Sequence, residues 1–313
     1  MAPERADVRP GNGVDGGGAA RSTRSLLAGI IDYAGLFPPA ELPMPAAVYN
    51  YAHYLTLPFS WMLGRFVVSA ARLEEFVREA VPVLPPRGSS SVWGVSLLSS
   101  DLERDIRRIE ELQREHPGVR FESIEIKAAS ATEIAAAVKV IPGSIRLYCE
   151  IPLAGEFETL LAPMAQWGVR AKIRCGGITS GTFPAAVRVA AFLRECHAAG
   201  VSFKATAGLH HPMRGSYPLT YSPGSPTEVM HGFLNLFLAA AWVRHGMPLD
   251  VAESLLEERS PAAFKFQDDG VEWREHQLST ADILEARRNY AVGFGSCSFS
   301  EPVADLRIMN LIA

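Results

Sequence analysis

The chain has 313 residues, 48% of them hydrophobic, with a formal net charge of −4 and a sequence pI of about 6.1. That length and apolar content sustain one barrel-sized core with extensions, or two small domains. No basic stripe and no lysine-rich cluster is present, so neither nucleic acid nor a membrane surface is an expected partner.

Residues 1–24 hold five glycines and four arginines and no apolar run. They read as a flexible tail rather than a signal peptide, which needs an apolar central region. Leu26–Asp32 then reads as a short strand and Met44–Tyr54 as a helix entered through Pro38, Pro39 and Pro43. Gly64–Ser69 reads as a strand, Ala71–Val81 as an amphipathic helix, and Val92–Leu98 as the next strand. Asp101 caps the helix Leu102–His116. The same plan repeats with strand Phe121–Lys127 and helix Ala131–Val140, then strand Ile145–Ile151 and helix Glu156–Trp167. Strand Val169–Arg174, helix Pro184–Ala199 and strand Val201–Thr206 follow. Strands alternating with helices of 10–15 residues mean βαβ units and a parallel sheet. Seven such strands in succession favour a (β/α)8 TIM-type barrel over an open doubly wound sheet, whose Gly-rich phosphate turn is missing after the first strand.

The remainder is less regular. Ser216–Thr227 reads as a loop, Val229–His245 and Leu249–Glu258 as helices, Ala262–Gln277 as a short hairpin around Asp269-Gly270, and Thr280–Asn289 as a helix. Ala291–Phe294 supplies the eighth strand. The expectation is a tail over 1–24 and one barrel domain over 25–313, with 212–290 as a helical elaboration over the barrel mouth. The apolar stretch Phe233–Val243 is eleven residues, too short to span a bilayer. The four cysteines (Cys149, Cys175, Cys196 and Cys297) lack CxxC spacing and read as reduced thiols. A soluble, cytoplasmic protein is expected.

Four of the strand-like runs carry ionisable residues at alternating positions. Ser123, Glu125 and Lys127 share one face, as do Arg146, Tyr148 and Glu150, then Arg170, Lys172 and Arg174, then Ser202, Lys204 and Thr206. Their opposite faces are apolar and suit the layer between sheet and helices. The polar sets therefore point into the barrel near its C-terminal end, where sites of this fold lie. A lysine among other cations loses ammonium character, because like charge disfavours the charged form. A neutral lysine adds to carbonyls and forms a Schiff base. The bland alternative is an ion network in which Glu125–Lys127 and Glu150–Lys172 satisfy each other.

The order of these segments resembles the class I aldolase superfamily, above all deoxyribose-phosphate aldolases. Ile31-Asp32-Tyr33-Ala34-Gly35-Leu36 resembles that family's first strand, and Ser123-Ile124-Glu125-Ile126 its Glu-Ile-Asp-Met run. Cys149-Glu150-Ile151-Pro152-Leu153 resembles the strand with a glutamate before a turn. Ala171-Lys172-Ile173-Arg174-Cys175-Gly176 resembles the strand whose lysine forms the Schiff base, and Phe203-Lys204-Ala205-Thr206-Ala207-Gly208 the strand whose lysine perturbs the first. The likeness spans residues 26–210 and rests on order. It implies Lys172 as nucleophile, Lys204 as its perturbing neighbour and Glu125 as proton relay. Tyr33 replaces the family's first-strand histidine, and Ala207-Gly208 replaces its phosphate-binding Gly-Gly, which argues against a phosphosugar. Gly293–Ser298 either mimics a phosphate-binding turn or is an ordinary turn. Arg174 suits a substrate carboxylate.

Asp32, Lys127, Glu150, Arg174, Thr206, His210 and His211 complete the candidate substrate-binding set. Three readings stand. The first is an aldolase-like lyase acting on a small oxo or hydroxy compound, with no cofactor and no metal. The second is a metal-dependent barrel enzyme using His210, His211 and Glu150, with Cys175 or His231 as further ligands. The third is a non-catalytic barrel serving as a binding or assembly protein. The expected partner is a small-molecule substrate, and the sequence leaves a homo-oligomer open.

Overall fold

Eight parallel strands close into a barrel in a computed structural model that describes residues 18–86, 89, 91–153 and 156–313. In chain order the barrel strands are β1 (Ile31–Tyr33), β2 (Leu63–Ser69), β3 (Trp93–Leu98), β4 (Val119–Lys127), β5 (Arg146–Glu150), β6 (Arg170–Arg174) and β7 (Phe203–Thr206). Outside the barrel lie β8 (Gly215–Pro218) paired with β9 (Thr227–Met230), and a three-stranded sheet of β10 (Phe264–Phe266), β11 (Gly270–Trp273) and β12 (His276–Ser279). The last barrel strand, β13 (Ala291–Ser296), pairs with both β7 and β1 and closes the ring. This is the expected (β/α)8 architecture.

The helices are α1 (Arg21–Leu27), α2 (Met44–Tyr54), α3 (Leu73–Ala80), α4 (Leu102–Glu115), α5 (Ala131–Val140), α6 (Glu158–Trp167), α7 (Ala186–Ala199), α8 (Phe233–Arg244), α9 (Leu249–Leu256), α10 (Thr280–Asn289) and α11 (Ser300–Ile308). Helix α4 illustrates their logic. The Asp101 carboxylate accepts the Arg104 N–H at 3.2 Å and opens the helix. Ile106, Ile109 and Leu112 then recur at helical spacing and are buried. Along the strands the outward residues Ile124, Leu147, Cys149, Ala171, Ile173, Phe203 and Ala205 are buried and belong to the main apolar core.

Three expectations change. Of the expected tail, residues 1–17 lie outside the described residues, and Arg21–Leu27 is helical. Gly29 sits at φ +57° and breaks the apolar run Leu26–Ile31 into a helix end and a strand start, where the sequence reads as one strand. The expected loop 216–227 is a hairpin, β8–β9, and the N-terminal part of the expected helix 229–245 is its second strand. The elaboration over 212–290 also does not sit as a unit over the mouth. Phe233 of α8 stacks on Phe294 of β13 at a ring separation of 5.0 Å and Phe237 lies tilted against it at 5.9 Å, so α8 belongs to the outer helical layer. In that layer α9 packs on α7 and α8, and α10 on α8 and α1. No helix among the described residues is long and apolar enough to cross a membrane.

Arg287 ties this outer layer to the barrel. It is 1% exposed, donates to the carbonyls of Leu26 (2.7 Å), Ala28 (3.1 Å) and Ala291, and lies 5.2 Å over the Phe237 ring. Those carbonyls lie at the end of α1 and the start of β13. Replacing Arg287 by Met removes the donors and strands buried acceptors, and is expected to lower the unfolding free energy by about 3 kcal/mol. Chemical denaturation of the two proteins checks this.

Candidate active site

Strand register lines up the ionisable residues around the inside of the barrel. Lys127 is opposite Glu150, Glu150 opposite Lys172, and Lys172 opposite Lys204. One layer nearer the mouth, Arg174 is opposite Thr206 and Thr206 opposite Gly295. The alternation read from the sequence therefore converges as expected, and the side chains meet.

Glu125 is the centre of the network. Its Oε2 lies 2.7 Å from Lys172 Nζ, and its Oε1 accepts from Lys204 Nζ at 2.5 Å and from the Ser96 hydroxyl at 2.6 Å. Ser123 donates in turn to Ser96 at 2.7 Å. Each amine has a second carboxylate. Glu150 Oε2 lies 2.8 Å from Lys172 Nζ, and Asp32 Oδ2 accepts from Lys204 Nζ at 2.8 Å. Asp32 is fixed by the Arg65 backbone N–H at 2.8 Å. A Cβ on Gly64 would stand 2.5 Å from Asp32 Oδ1, so only glycine leaves room for that carboxylate. Lys204 Nζ also lies 5.1 Å above the Tyr148 ring, whose hydroxyl accepts from Arg170 at 3.1 Å.

Burial alone would raise the Glu125 carboxyl, but the two ammonium groups override it and hold the group well below the usual carboxylate range. Burial alone would lower the Lys204 amine, and Asp32 and Glu125 raise it above the ordinary lysine range instead. Lys204 is thus a fixed cation. The expected pressure of one bare amine on another is replaced by a chain of alternating charges, Glu150–Lys172–Glu125–Lys204–Asp32.

A cavity of about 340 Å³ opens beside this chain. Lys172, Lys204, Glu125 and Glu150 form part of its wall, with Lys127, Arg174, Thr206, His210 and Cys297 around it. Two neighbouring hollows, of about 600 and 710 Å³, share Lys127 and Glu150 with it and widen the cleft between β3 and β6. Ala207 and Gly208, at the end of β7 and on the cavity wall, both have left-handed φ (+57° and +67°). A non-glycine residue in that conformation is strained, and such strain clusters at functional sites.

Of the candidates, Lys172, Lys204, Glu125, Lys127, Glu150, Arg174, Thr206 and His210 line the cavity. Asp32 does not; it anchors Lys204 beneath. His211 does not reach it either. Its Nδ1 lies 2.6 Å from Asp305 Oδ2, and its ring stacks on Tyr217 at 3.6 Å. The set proposed for a metal is not brought together. Glu150 holds Lys172, the two histidines face Glu301 and Asp305, and His231 Nε2 lies 2.7 Å from the Pro184 carbonyl. Among the described residues no group of three or more His, Cys, Asp or Glu side chains is placed to hold a metal ion. Burial pushes the thiols of Cys149 and Cys175 up to about 12, which marks both as neutral packing groups.

The sequence reading missed Ser96, Tyr221 and Glu301. Ser96 lies in an apolar strand, and its alternation with Val95 and Leu97 was the available signal. Glu301 lies in the first turn of α11, where the Ser298 hydroxyl, just ahead of the helix, accepts the Glu301 N–H at 3.1 Å.

Glu125→Gln leaves two buried amines short of one carboxylate, and is expected to lower stability at pH 7 by about 3–5 kcal/mol. The Glu125 carboxyl is depressed in the folded state, so its contribution is complete above the unfolded value of about 4.3 and is lost as the pH falls below it. The gap between wild type and Glu125→Gln should therefore narrow below about pH 4. Denaturant titrations at pH 7 and pH 3.5 measure it; a gap that widens in acid contradicts the assignment. In comparisons with known proteins, no family model matches the chain, and no curated protein matches it.

Proposed function

We propose that the cavity carries out amine catalysis on a small carbonyl compound, as a lyase of class I aldolase type. The observation that carries this reading is Lys172 Nζ on the cavity wall, 5% exposed as a residue and held between two carboxylates. Glu150 or Glu125 takes a proton from Lys172, and the neutral amine adds to the substrate carbonyl carbon. Proton return to the oxygen and loss of water give the iminium. Its positive nitrogen then draws in the electron pair of the neighbouring C–C bond as that bond breaks, or releases it as the bond forms. Lys204, a fixed cation on the other side of Glu125, holds that carboxylate in place beside Lys172 during this cycle. Glu125, hydrogen-bonded to both amines, shuttles protons between Lys172 and the substrate through water.

Lys127 and Arg174 support an acidic substrate. Both stand at the mouth with exposed side chains, and neither has an ion-pair partner among the described residues. A guanidinium and an ammonium on either side of Glu150 suit a carboxylate. A barrel whose ion network is only structural also finds support, since each buried lysine has two carboxylate partners.

Borohydride reduction in the presence of short aldehydes and keto acids separates these readings. The lyase reading predicts a stable adduct on the peptide containing Lys172, abolished by Lys172→Met, and a fall of about 100-fold or more in turnover for Glu150→Gln. No adduct with any compound of the panel favours the structural network and overturns the proposal.

A further inference from the structure

A second cluster of titratable side chains stands on another wall of the same cavity. His210 follows β7, Cys297 follows β13, Tyr221 lies between β8 and β9, and Glu301 opens α11. His210 Nδ1 lies 3.5 Å from Glu301 Oε2 and 3.8 Å from Cys297 Sγ. The Tyr221 hydroxyl lies 3.0 Å from Glu301 Oε2 and 3.5 Å from Cys297 Sγ. Four elements that are far apart in sequence are thus drawn to one imidazole, and this cluster plays no part in the amine network.

His210 and Cys297 both line the cavity, whereas Glu301 and Tyr221 are not on its wall. His210 is only 9% exposed. Its Nδ1 faces Glu301 and Cys297, and its Nε2 has no partner among the described residues. A ring with one nitrogen held by a carboxylate and the other free has a defined orientation and one available proton site. That is the arrangement of an acid–base residue steadied by an orienting group. Burial acts to lower the His210 imidazolium, but hydrogen bonds and charge from Cys297 and Glu301 raise it to about 9. The other titratable groups near it are His211, with ring centres 6.5 Å apart, and Asp305, which is engaged by His211.

Resting on the amine-catalysis reading, we propose that His210 is the acid–base residue for the oxygen of the second carbonyl partner, with Glu301 as its positioning residue. In the condensing direction the enamine carbon on Lys172 attacks an aldehyde carbon. The C–C bond forms, the carbonyl π pair moves to the aldehyde oxygen, and that oxygen takes the proton from His210 Nε2. In the cleaving direction Nε2 takes the hydroxyl proton, the C–C bond breaks and its electron pair moves toward the iminium nitrogen. The substrate class is then a β-hydroxy carbonyl compound, with the carbonyl at Lys172 and the hydroxyl at His210. The two ends of the reaction are served by separate groups on separate walls.

The test measures three steps in wild type, His210→Gln and Glu301→Gln, with acetaldehyde and pyruvate as probes. The steps are borohydride trapping on Lys172, exchange of the probe's α-hydrogens in deuterium oxide, and aldol turnover. His210→Gln should keep trapping and exchange within a few-fold, which also shows that it folds, while aldol turnover falls by about 100-fold or more. Condensation needs the protonated ring, so wild-type turnover should fall as the pH rises through about 9. In Glu301→Gln a partner that favours the cation is gone, so that fall should move to lower pH. Aldol turnover of His210→Gln within a few-fold of wild type, with trapping intact, overturns this inference and leaves the Lys172 reading standing. An unchanged pH profile in Glu301→Gln removes the positioning role. Absence of trapping in wild type removes both proposals.

Discussion

The carboxylate of Glu125 is the one interaction on which the rest of the site depends. Two lysines inside a barrel are tolerable only if their charge is met within hydrogen-bond distance. Glu125 meets both, through different oxygens, and Ser96 uses a further acceptor site on Oε1. Removing that carboxylate leaves two desolvated cations side by side. The remaining partners, Asp32 for Lys204 and Glu150 for Lys172, make the chain of charges alternate rather than accumulate.

The fold supplies this arrangement through register. Neighbouring strands present Glu150, Lys172 and Lys204 at opposed positions, so the three side chains leave the backbone at one level. The interior therefore holds two sorts of layer. Tyr148, Arg170, Ser96, Ser123 and Asp32 form a buried hydrogen-bonded floor, and Lys127, Glu150, Arg174 and Thr206 face the opening. Lys204 belongs to the floor by its fixed charge and its place over Tyr148, while Lys172 stands between floor and solvent. That difference sets the surroundings of the two lysines apart within one network.

Much of this was legible in the sequence, and the reason is period. Strand alternation placed Glu125, Lys172 and Lys204 on one face, and the apolar opposite faces said which side was outside. The barrel itself followed from strands alternating with helices of ordinary length. What failed did so where period is short or ambiguous. Leu26–Ile31 is apolar throughout, and only the conformation of Gly29 divides it. Only His231 and Gly232 separate the strand Thr227–Met230 from an apolar helix, too short a break to mark the boundary in the sequence. Asp32 and His211 were expected near the mouth and are not on the cavity wall, because position on a strand end or loop fixes neighbourhood but not direction. Asp32 turns down to Lys204, and His211 turns away to Asp305. The contact of Glu301 with His210 joins residues 91 apart, and no local pattern reports it.

The central claim is that one carboxylate holds two lysines in one cavity, with Lys172 the reactive amine and Lys204 a fixed charge. Competitive labelling with limiting acetic anhydride at neutral pH, read by peptide mass spectrometry, tests it most directly. The account predicts that Lys172 is acetylated well ahead of Lys204. Lys204 reacting as fast as Lys172, or Lys172 staying inert while surface lysines are consumed, would contradict it.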